Sequence, residues 1–334
     1  MLVTGGAGYI GSHACKALAK AGFLPIAYDS LAFGHEWAAQ WGPLEIGDIA
    51  DRKRLDAVIA RHQPIAIMHF AAFAYVSESV TNPGKYYRNN VAGTLTLLDA
   101  ILDAGINKFI FSSTCATYGI PKEIPINEET SQRPINPYGH SKLMIEQILR
   151  DYGKAHDLRW IALRYFNAAG ADPDLQIGED HDPETHLIPL VLDAAAGRRE
   201  AITIFGSDYD TPDGTCIRDY VHVSDLADAH VLALQALEKG QESSPFNLGN
   251  GRGFSNQEVI AAVERVTGLQ VPRKTGDRRE GDPACLIADA SRAKEALGWM
   301  PEFADIEAII ATAWAWHQKQ PQATRSISAP VSVA

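Results

Sequence analysis

A glycine-rich turn directly after the first apolar run constrains this fold more than any other feature. The turn reads TGGAGYIG and joins a predicted strand over residues 1–4 to a predicted helix. Gly6, Gly8 and Gly11 fit the spacing GxGxxG, whereas Gly5, Gly8 and Gly11 fit the related spacing GxxGxxG. Either spacing lets the backbone approach a pyrophosphate at the helix N-terminus. The turn therefore predicts a dinucleotide-binding unit, although a purely structural turn would look the same in isolation.

Short apolar runs alternate with amphipathic patterns through the first half of the chain. This alternation is typical of a parallel, doubly wound sheet, so we predict a Rossmann-type α/β fold. After Asn167, glycine, proline and aspartate become frequent, which predicts a smaller α/β lobe rich in loops. The predicted strands cover residues 1–4, 24–28, 65–70, 108–112 and 160–163. The predicted helices cover residues 10–21, 52–61, 86–104 and 141–156.

An acidic residue at the end of the second predicted strand indicates which dinucleotide binds. Asp29 lies where a carboxylate accepts hydrogen bonds from ribose hydroxyls. A carboxylate there repels the additional phosphate of NADP, so the sequence favours NAD. Asp48 and Ile49 follow the third strand and could flank the adenine. Asp48 could equally cap the next helix, and the residues alone leave both interpretations open.

The length of 334 residues predicts two lobes. We expect an NAD-binding Rossmann domain over residues 1–167, with segments at about 219–226 and 246–250 returning to it. We expect the substrate lobe over residues 168–320. The tail at 321–334 is rich in small and polar residues, which predicts disorder.

Tyr138 and Lys142 form a YxxxK pair on a predicted helix, where side chains four residues apart share one face. A tyrosine with an ordinary pKa of about 10 is a poor base at neutral pH. A neighbouring ammonium and a positive nicotinamide ring should lower that pKa. The pair therefore predicts a proton acceptor for a substrate hydroxyl. The plainer alternative is a surface tyrosine beside a solvated lysine.

Thr114 follows the end of a predicted strand, the edge of such sheets where ligands bind. Its hydroxyl can bond the reacting hydroxyl and carry the proton towards Tyr138. Ser112 and Ser113 are rival candidates for this position.

These motifs, in this order, resemble the UDP-glucose 4-epimerase family of extended short-chain dehydrogenases/reductases. The resemblance runs from Met1 to about Pro321. It is carried by the blocks TGGAGYIGSH, HFAAFAYVSESV, YYRNNVAGTLTLLDA, FIFSSTCATYG, INPYGHSKLMIEQ, LRYFNAAGADP, DGTCIRDYVHVSDLADAH, FNLGNG and RREGDPA. It implies that Thr114, Tyr138 and Lys142 are catalytic. It further implies that C4 of UDP-glucose is oxidised by bound NAD and then reduced from the opposite face, which gives UDP-galactose.

The resemblance and the glycine turn together give the expected contacts of both ligands. For NAD these are Gly5, Gly8, Tyr9, Ile10, Gly11, Asp29, Asp48, Ile49, Phe70, Ala71, Ala72, Asn89, Lys142 and Phe166. For the UDP-sugar they are Thr114, Tyr138, Asn167, His186, Phe205, Arg218, Arg279, Asp282 and Cys285. Arginine suits a diphosphate because it binds it bidentately. The alternative for Arg279 is a solvated charge run with its neighbours Arg278 and Glu280.

Alternative functions remain open on this scaffold. The run around Ala74 and Tyr75 also resembles UDP-xylose/UDP-arabinose 4-epimerases, so a pentose substrate is the main alternative. A small residue at Cys285, which the resemblance places beside the sugar, predicts some activity on UDP-N-acetylglucosamine. A dehydratase would need an Asp-Glu pair where Cys115 and Ala116 follow the threonine. A non-catalytic NAD-binding regulator should have lost the tyrosine or the lysine.

Composition limits the partners and the compartment. A net charge of −11 argues against nucleic-acid binding, and no apolar run approaches the ~18 residues that span a bilayer. Four scattered cysteines and the absence of a signal-like start predict a reduced, cytoplasmic protein. The resemblance implies a homodimer formed through helices 86–104 and 141–156.

A group of possible metal ligands follows the middle of the chain. His181, Asp182, Glu184 and His186 have the residue types and spacing of such a cluster. The resemblance implies no metal, however, so we interpret this segment as a loop with His186 near the substrate and predict no metal site.

Overall fold

The computed structural model describes residues 1–279 and 282–319. The segment at 321–334, predicted to be disordered, lies outside the described residues. Within them, every helix is too short or too polar to cross a lipid bilayer.

The strands form one large sheet and two small ones. The strands are β1 (Leu2–Thr4), β2 (Ile26–Asp29), β3 (Leu44–Ile46), β4 (Ile67–His69), β5 (Lys108–Thr114), β6 (Arg159–Tyr165), β7 (Asn167–Ala169), β8 (Ile202–Phe205), β9 (Ile217–His222), β10 (Ser244–Leu248), β11 (Gly253–Ser255), β12 (Arg273–Gly276) and β13 (Cys285–Leu286). The large sheet has seven strands in the order β10-β6-β5-β4-β1-β2-β3, and every neighbouring pair is parallel. This order confirms the predicted doubly wound α/β fold.

Helices cover both faces of the large sheet. They are α1 (Tyr9–Lys20), α2 (Arg52–His62), α3 (Val76–Thr81), α4 (Pro83–Tyr86), α5 (Thr94–Asp103), α6 (Pro137–His156), α7 (Leu187–Ala195), α8 (Val223–Glu238), α9 (Asn256–Thr267), α10 (Ser291–Leu297) and α11 (Ile306–Lys319). One core packs α1 and α8 on the first face, with Leu18 and Leu234 fully buried. The other core packs α2, α5 and α6, with Leu98 and Ile145 at its centre.

The predicted helix over residues 86–104 is helical up to residue 103, but it contains a π-helical segment that the sequence did not predict. The structure divides it into α4, a π-helical turn over Tyr87–Gly93, and α5. Asn90 explains the wider turn, because its side chain is bonded away from the helix. Its Oδ1 accepts from the N–H of Phe73 at 2.9 Å, and its Nδ2 donates to Ser141 Oγ at 3.0 Å. Such turns often occur at functional sites.

The N-terminus of α2 decides between the two interpretations of Asp48. The capping residue is Asp51, whose Oδ1 accepts from the N–H of Arg54 at 3.1 Å. Asp48 lies in the preceding turn and accepts from the N–H of Ala50 at 2.8 Å. The capping interpretation of Asp48 is therefore wrong.

A smaller lobe follows β6. In it β9 pairs with β7, β11 and β13, and β8 pairs with β12. Helices α7, α9 and α11 bury Val191, Val263 and Ile309 against each other. β10 returns to the edge of the large sheet beside β6. The predicted returning segment 219–226 is divided, since β9 belongs to the small sheet and α8 packs on the large one. The exact lobe limits stay predictions.

Two of the passages between the lobes have almost no linker. Only Phe166 separates β6 from β7, and β9 runs directly into α8. His222, the last residue of β9, caps α8 by accepting from the N–H of Ser224 at 3.1 Å. The large sheet reverses its strand order between β1 and β4, and ligands of such sheets bind outside that point.

Candidate active site

A cleft of about 660 Å³ opens at the carboxyl ends of the large sheet, between the two lobes. The glycine turn forms its floor. Gly5 has a φ of +73°, and an added Cβ there would lie 2.7 Å from the backbone nitrogen of Ala71. An added Cβ at Gly11 would lie 2.0 Å from the carbonyl oxygen of Gly5. Side chains are therefore excluded, and the N-terminus of α1 is open to an anion.

The structure decides between the two glycine spacings. Gly5, Gly8 and Gly11 line the cleft, whereas Gly6 does not. Gly6 packs against the strands instead, since an added Cβ there would lie 2.7 Å from the carbonyl oxygen of Val3. The cleft is therefore built on the spacing GxxGxxG.

Asp29 is held beside this turn. Its Oδ2 accepts from the N–H of Ala7 at 3.0 Å, and its Oδ1 accepts from the N–H of Leu31 at 2.8 Å. Burial raises the pKa of Asp29, while these two backbone hydrogen bonds lower it. Each carboxylate oxygen keeps a further lone pair, so the side chain can still accept from ligand hydroxyls.

Thr114, Tyr138 and Lys142 meet on the opposite wall of the cleft. Thr114 ends β5, and Tyr138 and Lys142 lie in the first two turns of α6. The helix begins here because Asn136 Oδ1 accepts from the N–H of Gly139 at 2.8 Å and Pro137 suits the first helical position.

Burial is the largest influence on the protonation of this pair. Burial raises the pKa of Tyr138 above its ordinary value, and the hydrogen bond with Thr114 only partly offsets this. Lys142 Nζ lies 6.0 Å from the centre of the Tyr138 ring, so its ammonium lies close to the phenol without a direct hydrogen bond between them. Lys142 donates to the carbonyl oxygen of Ser112 at 2.8 Å, and burial lowers its pKa to about 7. Among the protein's own groups, burial therefore dominates at Tyr138, and the lowering of its pKa by the lysine together with the nicotinamide ring stays a prediction.

The rivals of Thr114 have other partners. Ser112 Oγ bonds the hydroxyl of Tyr165, and Ser113 Oγ donates to Glu146 Oε1 at 2.6 Å. Thr114 is the hydroxyl that reaches Tyr138.

Two arginines lie at the far end of the cleft. Arg218 pairs with Asp282. Arg279 lies 4.2 Å from the centre of the Phe205 ring, and its buried Nε has no hydrogen-bond partner. Burial lowers the pKa of Arg279, and the nearby Asp282 carboxylate raises it. Arg278 instead binds Asp208 at 2.6 Å, so the two neighbouring arginines have different surroundings.

Most of the predicted ligand contacts line this one cleft. Phe205 and Cys285 are the exceptions. Phe205 lines a smaller adjoining cavity, and Cys285 lines neither cavity, although the next residue of β13, Leu286, lines the cleft. The predicted residues that line the cleft are Gly5, Gly8, Tyr9, Ile10, Gly11, Asp29, Asp48, Ile49, Phe70, Ala71, Ala72, Asn89, Thr114, Tyr138, Lys142, Phe166, Asn167, His186, Arg218, Arg279 and Asp282.

Sequence reasoning missed several lining residues, including Phe33, Glu179 and Leu286. Phe33 follows Asp29 closely, and this position could have suggested it. Glu179, in a loop, and Leu286, in β13, reach the cleft through long-range packing and carry no local signal.

Comparison with known proteins adds the decisive observation. The model of the NAD dependent epimerase/dehydratase family matches residues 1–249.

The chain belongs to that family.

Named relatives extend the match over nearly the whole chain. A UDP-glucose 4-epimerase of Rhizobium meliloti (strain 1021) is 55% identical over 322 residues, 96% of this chain and 98% of the relative. A solved UDP-glucose 4-epimerase from Brucella ovis in complex with NAD has a TM-score of 0.92 and 52% identity, over 94% of this chain and 97% of that one. A solved UDP-glucose 4-epimerase from Stenotrophomonas maltophila, with bound NAD and formylated UDP-arabinopyranose, has a TM-score of 0.92 and 40% identity, over 95% and 97%.

Membership of this family confirms the resemblance found in the sequence, the Rossmann-type fold and the dependence on NAD. The roles of the individual cleft residues are not tested by these comparisons and stay predictions.

Proposed function

We propose that this protein is a UDP-glucose 4-epimerase that interconverts UDP-glucose and UDP-galactose with tightly bound NAD. The observation that carries the proposal is a single cleft that joins the glycine turn, the group Thr114, Tyr138 and Lys142, and two arginines. The sequence identity of 55% to a named UDP-glucose 4-epimerase supports it.

The chain's own residues fit NAD. A Cβ at Gly5 or Gly11 would collide with neighbouring backbone, so glycine is what lets the turn pack closely and leave the α1 N-terminus open for a pyrophosphate. Asp29 would hold the adenosine ribose, and Asp48 and Ile49 would flank the adenine. Bound NAD supplies a hydride acceptor and donor for C4 of the sugar.

Tyr138 is the group that holds the proton. Its phenolic oxygen takes the proton of the C4 hydroxyl, directly or through Thr114, and returns it after the sugar has turned over. Because burial raises its pKa, the phenolate needs a positive partner. Lys142 is the residue that supplies positive charge from the protein. It does so when its ammonium is protonated, at pH values up to its pKa of about 7.

The far end of the cleft holds the part of the substrate that does not react. Arg218 and Arg279 would clamp the diphosphate, and Asn167 offers both a donor and an acceptor. Asp282 already pairs with Arg218, so it orients this arginine as well as facing the ribose. Binding energy spent on UDP leaves the sugar ring loosely held, and a 4-keto sugar can then present its other face.

The test is to incubate the purified chain with UDP-glucose without added cofactor and to separate the products. UDP-galactose should accumulate. Tyr138→Phe should lower turnover by at least about 10²-fold because it removes the proton acceptor. Tyr152→Phe is the matched control on the same helix, since its hydroxyl bonds Asp99 at the exposed surface. Full turnover by Tyr138→Phe, or steady NADH release when free NAD is supplied, would contradict the proposal.

A pentose substrate is the second candidate, and one observation favours it. Ala74 and Tyr75, which carry the likeness to pentose epimerases, both line the cleft. The Stenotrophomonas maltophila structure also holds formylated UDP-arabinopyranose. Ranking the rates on UDP-glucose, UDP-galactose, UDP-xylose and UDP-N-acetylglucosamine decides between hexose, pentose and N-acetylhexosamine.

The structure adds no contact in favour of the N-acetylhexosamine activity, because Cys285 lies outside the residues that line the cleft. Cys285→Tyr should therefore leave the ratio of UDP-N-acetylglucosamine to UDP-glucose turnover unchanged. A selective loss of the larger substrate would show that this side chain does reach the sugar.

We also propose a cytoplasmic homodimer that pairs through α5 and α6. Met144 supports this interface, because it is 40% exposed on α6 although it is apolar. The four cysteines are free, which agrees with a reducing compartment. Light scattering after gel filtration measures the mass, and Met144→Glu should shift it towards the monomer.

A further inference from the structure

The loop before α7 carries two glutamates and two histidines that the proposed reaction does not require as a group. One ligand-type atom from each of Glu179, His181, Glu184 and His186 lies within 4.8 Å of every other. His186 Nδ1 lies 2.7 Å from Glu179 Oε1 and 3.0 Å from Glu184 Oε1. His181 Nδ1 lies 3.2 Å from Glu179 Oε1 and 3.7 Å from Glu184 Oε2. Two ligands of one tetrahedral cation lie roughly 3.3 Å apart when the metal–ligand bonds are about 2.0 Å long.

Two atoms of this cluster face each other without a hydrogen bond. His181 Nδ1 and Glu184 Oε2 are buried and have no hydrogen-bond partner. Their separation of 3.7 Å is too long for a hydrogen bond between them. The Glu184 side chain is only 3% exposed, so solvent does not reach it readily. A cation between the two atoms would satisfy both.

The charges of the cluster also need a counterion. The side chains of Glu179 and Glu184 are 7% and 3% exposed, and buried carboxylates require a compensating charge. In the part of the chain that the structure describes, Glu184 pairs with His181 and His186 and with no lysine or arginine. A divalent cation bound by the four side chains would supply that charge, and two protonated histidines are the alternative.

We propose that Glu179, His181, Glu184 and His186 bind one divalent transition-metal cation of the zinc type. Two imidazole nitrogens and two carboxylate oxygens are ligands that zinc accepts. Because the protein supplies all four ligands, the site is closed, and the cation has a structural role. This replaces the prediction of no metal site, and Glu179 takes the place that the sequence grouping gave to Asp182.

The cation would fix one wall of the cleft. The same loop is already fastened to the large lobe, because His35 Nε2 bonds the carbonyl oxygen of Asp180 at 2.8 Å and Tyr75 donates to that of Pro183 at 3.1 Å. On the other side, Trp316 Nε1 donates to the carbonyl oxygen of Glu179 at 3.0 Å. A metal at the centre of the loop would join these anchors. His186 binds through Nδ1, which leaves Nε2 available for a ligand in the cleft.

Metal content is the direct test, and it does not depend on the reaction. The full chain is produced in zinc-supplemented medium, dialysed without chelator and analysed by mass spectrometry of the elements. About one equivalent of zinc per chain is expected. His181→Asn and Glu184→Gln should each lose most of it. His156→Asn is the matched control, because His156 is an exposed histidine at the end of α6 and should not affect the metal.

A second measurement protects the test against misfolded variants. Replacing zinc by cobalt in the unmutated chain should give the visible absorption bands of a tetrahedral site, and a strong chelator should remove them and lower the melting temperature. The proposal is overturned if the folded, unmutated chain binds less than about a tenth of an equivalent after incubation with zinc. It is equally overturned if the His181 and Glu184 variants, folded by circular dichroism, retain as much zinc as the His156 control. Either result would mean that two protonated histidines, and not a metal, compensate the negative charges of the two glutamates.

Discussion

Lys142 and Arg164 are two cations buried against the same strands, and they have opposite surroundings. Arg164 is 1% exposed and donates to both carboxylate oxygens of Glu146, at 2.9 and 2.6 Å, and to the hydroxyl of Tyr118 at 2.8 Å. Lys142 is 2% exposed and donates to the carbonyl oxygen of Ser112. No carboxylate of the described residues lies within ion-pair distance of its Nζ.

The two pKa values follow from this difference. Burial lowers the pKa of Arg164, but the hydrogen bonds and charge of Glu146 outweigh it and raise the pKa above the ordinary value. Burial alone acts on Lys142 and lowers its pKa to about 7. A paired buried cation is permanently charged and holds the fold together. An unpaired one costs stability and can respond to a ligand.

The largest expected effect is on the paired cation. Arg164→Met should lower the free energy of unfolding by about 3–5 kcal/mol, because Glu146 is left buried without its partner. Urea denaturation measures this. The double variant Arg164→Met with Glu146→Leu should recover much of the loss, since no buried charge then remains. If Arg164→Met alone lowers the free energy of unfolding by less than about 1 kcal/mol, the contrast between the paired Arg164 and the unpaired Lys142 is lost.

The unpaired cation should instead matter for turnover. Lys142→Met should lower kcat by about 10²-fold, because the phenolate of Tyr138 loses the protein's share of positive charge. The circular dichroism spectrum should not change. Arg164→Met, assayed on its folded fraction, is the matched comparison and should keep kcat near that of the parent. Equal losses in both variants would show that Lys142 is a structural residue.

The pH dependence of the free energy of unfolding gives a second test of the comparison, with the same variant, Lys142→Met. Between the folded pKa of about 7 and the ordinary value of 10.5, the unfolded chain binds a proton at Lys142 that the folded chain does not. Burial of the Lys142 ammonium therefore lowers the free energy of unfolding by its full amount below about pH 7. As the pH rises across that window, this penalty shrinks and the free energy of unfolding increases.

Lys142→Met has no such group. It should be more stable than the parent at pH 6, and this advantage should shrink steadily as the pH is raised through 7 towards 10. Chemical denaturation at several pH values gives the difference directly. An advantage that is constant with pH would mean that Lys142 is not desolvated in the folded state.

The smallest expected effect is on Thr114, whose hydroxyl lies between β5 and Tyr138 of α6. Thr114→Val keeps the shape and removes the hydrogen bond to Tyr138, so kcat should fall about tenfold. Thr114→Ser keeps the hydroxyl and should stay close to the parent. If the valine variant is fully active, Tyr138 exchanges its proton with the sugar directly.

The sequence predicted the parts of the molecule that depend on local patterns. The strands β1, β2, β5 and β6 carry runs of apolar and β-branched residues. The glycine turn and the YxxxK pair combine spacing with chemistry, so they could be recognised without coordinates.

The failures depend on distant contacts instead. The π-helical turn exists because Asn90 reaches Phe73 and Ser141, and no local pattern reports such bonds. Cys285 lies outside the residues that line the cleft although its neighbour Leu286 in β13 lines it, and Arg218 meets Asp282 across 64 positions of sequence. Glu179 is different, because it lies only two positions before His181 and belonged to the same local group of possible ligands.

The direct passage from β9 into α8 has a consequence for how the enzyme takes up its ligands. A strand of one lobe that continues directly into a helix of the other restrains rotation of the lobes, and the short step from β6 to β7 restrains them a second time. These two connections hold the width of the cleft close to the value set during folding. Entry and exit of small molecules then depend on movements at the rim of the cleft, and the overall dimensions of the protein in solution should stay the same when ligands bind.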